Sequence, residues 1–135
     1  MGLLDLFRRR YKTGYGDTYS AIVSCLKRGG VKVGGTSSYP RVEVYNVTEG
    51  ERLDKSGALR SIEFAVDSVS STSLQEAVTL NEENMARLGT SLNLGKSWQL
   101  IDVIPITLND STEVTDSSTI IYRITQRYKL IISSI

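Results

Sequence analysis

The side chains that usually carry proton-transfer and metal chemistry are scarce in this sequence. Histidine is absent, which removes the commonest general acid/base near neutral pH and the commonest metal ligand. A single cysteine, Cys25, excludes an internal disulfide and a cysteine-based zinc cluster. Its neighbours Ala21, Ile22, Val23 and Leu26 predict a buried, inert thiol. Glu82 and Glu83 have no basic or metal-binding companion, so they read as a solvated helix face. Gly29, Gly30, Gly34 and Gly35 suggest a phosphate cradle at first sight. No Gly-Lys-Ser/Thr follows them and no strand feeds the segment, which leaves turn chemistry. Asp110, Glu113 and Asp116 lie among Ser and Thr, an oxygen-rich stretch that lacks the glycine and terminal glutamate of an EF-hand. Serines, threonines and carboxylates are plentiful, but none stands in a nucleophile–base spacing. The expectation is a chain that is not an enzyme, with no catalytic residues, no metal and no cofactor.

Charge and length narrow the classes further. The chain has 135 residues, 16 of them Lys or Arg and 15 Asp or Glu, for a net charge of +1. Wholesale nucleic-acid binding normally shows as a clear basic excess, and none is present. No apolar run approaches the roughly 20 residues that span a bilayer. The start, Met1 to Phe7, precedes its basic residues instead of following them and so is no secretory signal, and position 6 lacks the Ser or Thr that myristoylation wants. A soluble protein, intracellular at synthesis and with no membrane partner, is expected.

The elements that must position any site follow from periodicity. Leu3, Leu4, Leu6 and Phe7 lead into Arg8, Arg9, Arg10, Tyr11 and Lys12, a short helical turn whose cations suit the negative end of a helix dipole. Residues 1–17 read as an N-terminal arm, either docking an acidic partner through Arg8, Arg9 and Arg10 or simply fraying. Residues 18–135 read as one α+β domain. Asp17 or Thr18 caps a helix with Tyr19, Ile22, Val23 and Leu26 on one face, closed by Gly29-Gly30. Val31 to Val33 is an optional short strand. Arg41–Val47 and Leu59–Val69 alternate as strands across a polar connection, Thr48–Gly57, which predicts an antiparallel hairpin. Ser73-Leu74-Gln75-Glu76 is a capping box, and Leu74, Ala77, Val78, Met85 and Leu88 form the stripe of the helix it opens, with Gly89 as terminator.

The last third carries the longest signal. Even positions from Ile120 to Ile132 are apolar but for Gln126, while the odd positions include Arg123, Thr125, Arg127 and Lys129. Strict period two predicts a strand with one apolar and one cationic face. At about 3.3 Å per residue, Thr119 to Ser133 would run roughly 45–50 Å, against a diameter of roughly 35–40 Å for a compact domain of this length. The strand must then bend or project beyond its own domain. A hairpin with Trp98–Leu108, centred near Val114, would set Trp98 against Leu130, Leu100 against Tyr128, Ile104 against Ile124 and Asp102 against Gln126. Its tip, Asn109 to Ser117, would be a mobile acidic loop. Ile101 and Val103 would then lie beside Arg127 and Thr125 on the reverse face, mixed character that suits a subunit contact. The predicted fold is α+β: a mainly antiparallel sheet of four to five strands backed by two helices, with a long C-terminal hairpin. A ferredoxin-like arrangement is the competitor.

An N-terminal helix, the Arg41–Val47 and Leu59–Val69 hairpin, the Ser73-capped helix and the long final hairpin together resemble tailed-bacteriophage tail terminator (tail completion) proteins. The resemblance covers residues 18–133 and rests on element order, chain length and the strand–capped-helix–strand passage, not on a catalytic signature. It implies a virion structural protein that forms a homo-oligomeric ring, commonly hexameric, capping the tail tube protein and meeting a neck or connector protein, with DNA passing through without specific binding. The interface candidates are Arg8, Arg9, Arg10, Ile101, Arg123, Arg127 and Lys129, the strand arginines and lysine facing Glu43, Glu63 or Asp67 of a neighbour in preference to lining a lumen through which DNA passes or forming a solvated face. Alternatives are another neck, head-closure or minor tail protein, or a small β-sheet adaptor that binds peptides by strand addition.

Overall fold

A computed structural model describes residues 15–34 and 38–135, with the side chains of 15–17, 51 and 52 not described. The expected contact arginines Arg8, Arg9 and Arg10 lie outside the described residues. In chain order the elements are α1 (Tyr15–Lys27), β1 (Lys32–Val33), β2 (Arg41–Arg52), β3 (Leu59–Ser70), α2 (Leu74–Ser91), β4 (Trp98–Val114) and β5 (Ile120–Ser134). They form one five-stranded sheet in the order β1-β2-β3-β5-β4. All neighbours are antiparallel except the two-residue β1, which runs parallel to β2. The fold class is the expected α+β sheet with two helices and a C-terminal hairpin.

Even-numbered residues of β3 and β5 face the helices. Ile62, Phe64 and Val66 stand in register with Leu130, Tyr128 and Gln126, and Val42 and Val44 of β2 continue the same face. Ile22, Cys25 and Leu26 of α1 and Leu80 and Leu88 of α2 close the core over them. Phe64 and Tyr128 stack with ring centroids 5.3 Å apart, adding aromatic contact to burial. Cys25 is buried and donates its S–H to Arg87 O at 3.3 Å; burial raises the thiol's pKa, so the inert reading of this cysteine stands.

α2 forms where its cap is. The Ser73 hydroxyl accepts from Glu76 N at 3.0 Å, as a capping serine should. The other half of the box is rerouted. Ser70 Oγ accepts from Ser73 N and donates to Glu76 Oε1 at 2.7 Å, so a hydroxyl from the end of β3 joins the two halves. The helix continues through Gly89 to Ser91. Its buried face is Ala77, Leu80, Asn81, Asn84 and Leu88, whereas Leu74 is exposed. Asn84 earns its place by donating to Ser68 Oγ at 2.9 Å.

Three sequence expectations are corrected. The Thr48–Gly57 connection is shorter, because β2 runs on to Arg52 through shifts at Tyr45/Thr48 and Glu49/Arg52. Asn46 takes a left-handed φ of 54° at the first of these, which suits a bulge. β5 does not project alone: Tyr122–Ser133 pairs without interruption with all of Leu59–Ser70. Its length is shared by its neighbour, so the sheet itself is long.

The final hairpin is the third correction. Asn109–Val114 is strand, not mobile loop, and the turn is Thr115–Thr119, held by Thr115 N to Thr119 O at 2.9 Å and Ser118 N to Thr115 O at 2.9 Å. The register moves accordingly. Trp98 pairs with Ser134, Leu100 with Ile132, Val103 with Leu130 and Asp102 with Ile131. Shifts at Leu100/Asp102 and Pro105/Leu108 change the phase of the pleat twice. Val103 therefore packs against the core and Ile104 turns outward opposite Lys129. The amide of Gln126, buried in the helix-side face, donates from Nε2 to Thr107 O at 2.9 Å inside the second bulge.

Candidate subunit interface and the arginine cluster

The sheet face away from the helices carries the odd residues of β3 and β5. Register places Arg41, Val69, Arg123 and Ser111 in one row across β2, β3, β5 and β4, and Glu43, Asp67, Thr125 and Asn109 in the next. Cations and carboxylates on adjacent rows and strands are close enough to pair.

Arg123 is the centre of this face. Its Nη1 lies 2.6 Å from Asp67 Oδ2 and 2.9 Å from Glu43 Oε2, and its Nε lies 3.1 Å from Glu113 Oε1. Arg41 Nε stands 3.0 Å from the other oxygen of Glu43. Asp67, with 5% of its side chain exposed, also accepts from Tyr45 Oη at 2.9 Å and Thr125 Oγ1 at 2.7 Å. Desolvation alone would lower the pKa of Arg123, but hydrogen bonds and charge from Asp67 and Glu43 outweigh it and raise the pKa above its ordinary value. Tyr45 is raised too, first by burial and then by the carboxylate of Asp67. The arrangement is an ion-pair staple of two arginines and three carboxylates joining β2, β3, β5 and β4. The acids expected to meet Arg123 from a neighbouring subunit, Glu43 and Asp67, meet it within its own chain.

The other strand candidates differ. Arg127 Nη2 is 3.8 Å from Glu63 Oε1 with half its side chain exposed, a contact worth well under ~1 kcal/mol. Lys129 is half-buried, flanked in register by Glu63 on β3 and Ile104 on β4. Ile101 sits in the first β4 bulge and is 54% exposed. Arg127, Lys129 and the outward-facing Ile104 thus lie on one side of the sheet.

β4 is the outer edge of the sheet, seventeen residues long, and it contains neither Lys nor Arg. Ile101, Ile104, Ile106, Leu108 and Val114 all stand exposed along it. The periodic reading named Ile101 but set Ile104, Ile106 and Leu108 on the core face through its register, and it treated Asn109–Ser117, with Val114, as loop. Tyr45 and Thr125 were missed as partners of Asp67, and only the pairing register brings them together. Among the described residues no group of three or more His, Cys, Asp or Glu is placed to hold a metal ion, and no helix is long and apolar enough to cross a membrane.

No family model matches the chain, and no curated protein matches it. Among solved structures, its fold matches a chain from the virion of a native gene transfer agent (GTA) particle, with a TM-score of 0.59 over 86% of this chain and 91% of that one, at 15% identity. At that identity the likeness is one of fold.

Proposed function

We propose that this chain is a structural protein of a phage-like virion and, within it, a tail terminator: a homo-oligomeric, hexameric ring that caps the tail tube and joins it to the neck or connector. The observation that carries the proposal is the fold likeness to a GTA virion chain, which extends over nearly the full length of both proteins. The tail terminator role rests on the element order already set out. In this reading the protein performs no catalysis and needs no cofactor. It is assembled in the host cytoplasm and resides at the tail–neck junction, where DNA passes without sequence-specific contact.

The free edge supports assembly on physical grounds. Unpaired strand edges template pairing with other chains, and soluble proteins usually guard them with lysine, proline or short length. β4 has Pro105 but no cation, and its exposed apolar residues gain from cover. A contact between different patches on successive copies closes into a ring when the rotation permits. Arg127, Lys129 and Ile101 are the side chains assigned to this contact.

The test is addition of the purified chain to tubes grown from the cognate tail tube protein. The expected result is electron-dense caps at one tube end and arrest of elongation there. Unlabelled ends and unchanged tube lengths would refute the terminator role. The same cation-free, apolar edge also favours a second reading, a peptide-binding adaptor acting by strand addition. That reading requires a monomer that binds an extended peptide along β4.

A further inference from the structure

The helix-side face of the outer hairpin has a composition of its own. Leu108, Val114 and Ile120 are 60%, 72% and 45% exposed, and the pairing Val114–Ile120 together with Leu108–Gln126 sets them on one face with Asp110. From Ser97 to Tyr122 the chain has no Lys or Arg but four carboxylates, Asp102, Asp110, Glu113 and Asp116. Glu113 is engaged by Arg123; Asp110 and Asp116 are exposed. The surface is therefore apolar with an acidic border.

The start of the chain has the complementary composition. Leu3, Leu4, Leu6 and Phe7 are followed by Arg8, Arg9, Arg10 and Lys12, with Asp5 the one acid. We infer that residues 3–12 of a neighbouring copy dock on this face, the leucines and phenylalanine covering Leu108, Val114 and Ile120, and the arginines meeting Asp110 and Asp116. The inference rests on the self-assembly proposed above.

The self-assembly proposed above argues for the neighbour's segment. α1 packs on β1, β2 and α2, at the side of the sheet opposite to β4. To reach its own β4, the segment would have to cross β2, β3 and β5, about 15 Å of sheet at about 4.8 Å per strand, and pass the helix layer. A head-to-tail contact instead sets the β1–β2 side of one copy beside the β4 edge of the next. Fourteen residues precede Tyr15, up to about 45 Å when extended, enough for either route, so the test below separates a link between chains from one within a chain. Apolar burial then supplies affinity while opposite charges fix register.

Two variants of the full chain that each add one cysteine, Leu6→Cys and Leu108→Cys, carrying different tags, test this directly. They are mixed, allowed to assemble and mildly oxidised; Cys25 stays as it is because it is buried. The expected product is a disulfide-linked heterodimer formed at least tenfold more than with Ser56→Cys, an exposed position in the β2–β3 connection, in place of Leu108→Cys. Adding Asp110→Arg and Asp116→Arg to the Leu108→Cys chain should abolish it, and adding Arg8→Glu and Arg10→Glu to the Leu6→Cys chain should restore it. Heterodimer yields equal at positions 108 and 56 overturn the inference. So does a link found only within one chain carrying both cysteines. Light scattering on the unmodified chain separates the two levels: an assembled protein without the cross-link overturns the docking alone, whereas a monomer overturns the assembly reading as well.

Discussion

Replacing Arg123 by methionine keeps an apolar stem of similar reach and removes only the guanidinium. Three contacts are lost, of unequal worth. The Glu43 and Glu113 carboxylates are 30% and 50% exposed, so each pair contributes about 0.2–1 kcal/mol. The Asp67 contact, at 2.6 Å with 5% of the acid's side chain exposed, is different. Removing one partner of a buried pair costs about 3–5 kcal/mol when nothing else serves the remaining charge. Here Tyr45 and Thr125 still donate to Asp67, and charged hydrogen bonds are worth about 1.5–3 kcal/mol each. The net expectation is a loss of about 2–4 kcal/mol, and a fall in Tm of about 6–12 °C at about 3 °C per kcal/mol for a domain of this size. Urea unfolding followed by circular dichroism measures it, provided m is unchanged; two protein concentrations separate folding from assembly. The loss should persist in 1 M salt, because screening reaches exposed pairs far more than buried ones. A loss below about 0.5 kcal/mol, or one that vanishes in salt, would make the cluster an ordinary solvated face and refute the staple.

Other perturbations have definite signs. Tyr128 Oη is buried with no hydrogen-bond partner among the described residues, so Tyr128→Phe should leave stability unchanged or raise it by up to about 1–3 kcal/mol, the cost of an unsatisfied buried polar group. Burial raises the Tyr128 pKa, so its neutral form is favoured in the folded state; stability is complete below the ordinary tyrosine range near pH 10 and falls as pH rises beyond it. The phenylalanine variant should lose that part of the alkaline decline in a urea-midpoint series, with the part from Tyr45 remaining. A Cβ at Gly50 would run into Ser61 Oγ and stand 3.2 Å from the Ser61 carbonyl, so Gly50→Ala should cost about 1–3 kcal/mol as overpacking; an unchanged Tm would show that β2 yields there. Arg127→Glu with Lys129→Glu should shift monomer stability by under about 1 kcal/mol yet weaken association in sedimentation velocity. Unchanged association would assign both residues to solvent.

What was legible in the sequence was local or strictly periodic. The β2–β3 hairpin, the Ser73 cap and the inward face of β5 follow from spacing that a few residues determine. The register of β4 on β5 did not, for a physical reason: a period-two pattern looks the same after any even shift. Only the turn chooses among the shifts, and Thr115–Thr119 lacks the glycine that would have announced it. The two β4 bulges then reversed the faces of Val103 and Ile104, because each inserts residues that alternation does not count. Asn84 escaped the helix stripe because a polar residue enters a core when a partner, here Ser68, is supplied from another element. The Arg123 cluster was half legible. The cations and the acids Glu43 and Asp67 were named, but which chain supplied the acids depended on β2, β3 and β5 being adjacent.

Self-assembly of the full chain is the claim on which the rest depends, and its mass in solution tests it most directly. Sedimentation velocity across a concentration series, with negative-stain images of the same samples, should give one discrete closed species whose mass is a whole-number multiple of 14.9 kDa, a hexamer with a visible central opening. A single species at the monomer mass throughout the series, or open filaments of no fixed length, would contradict it.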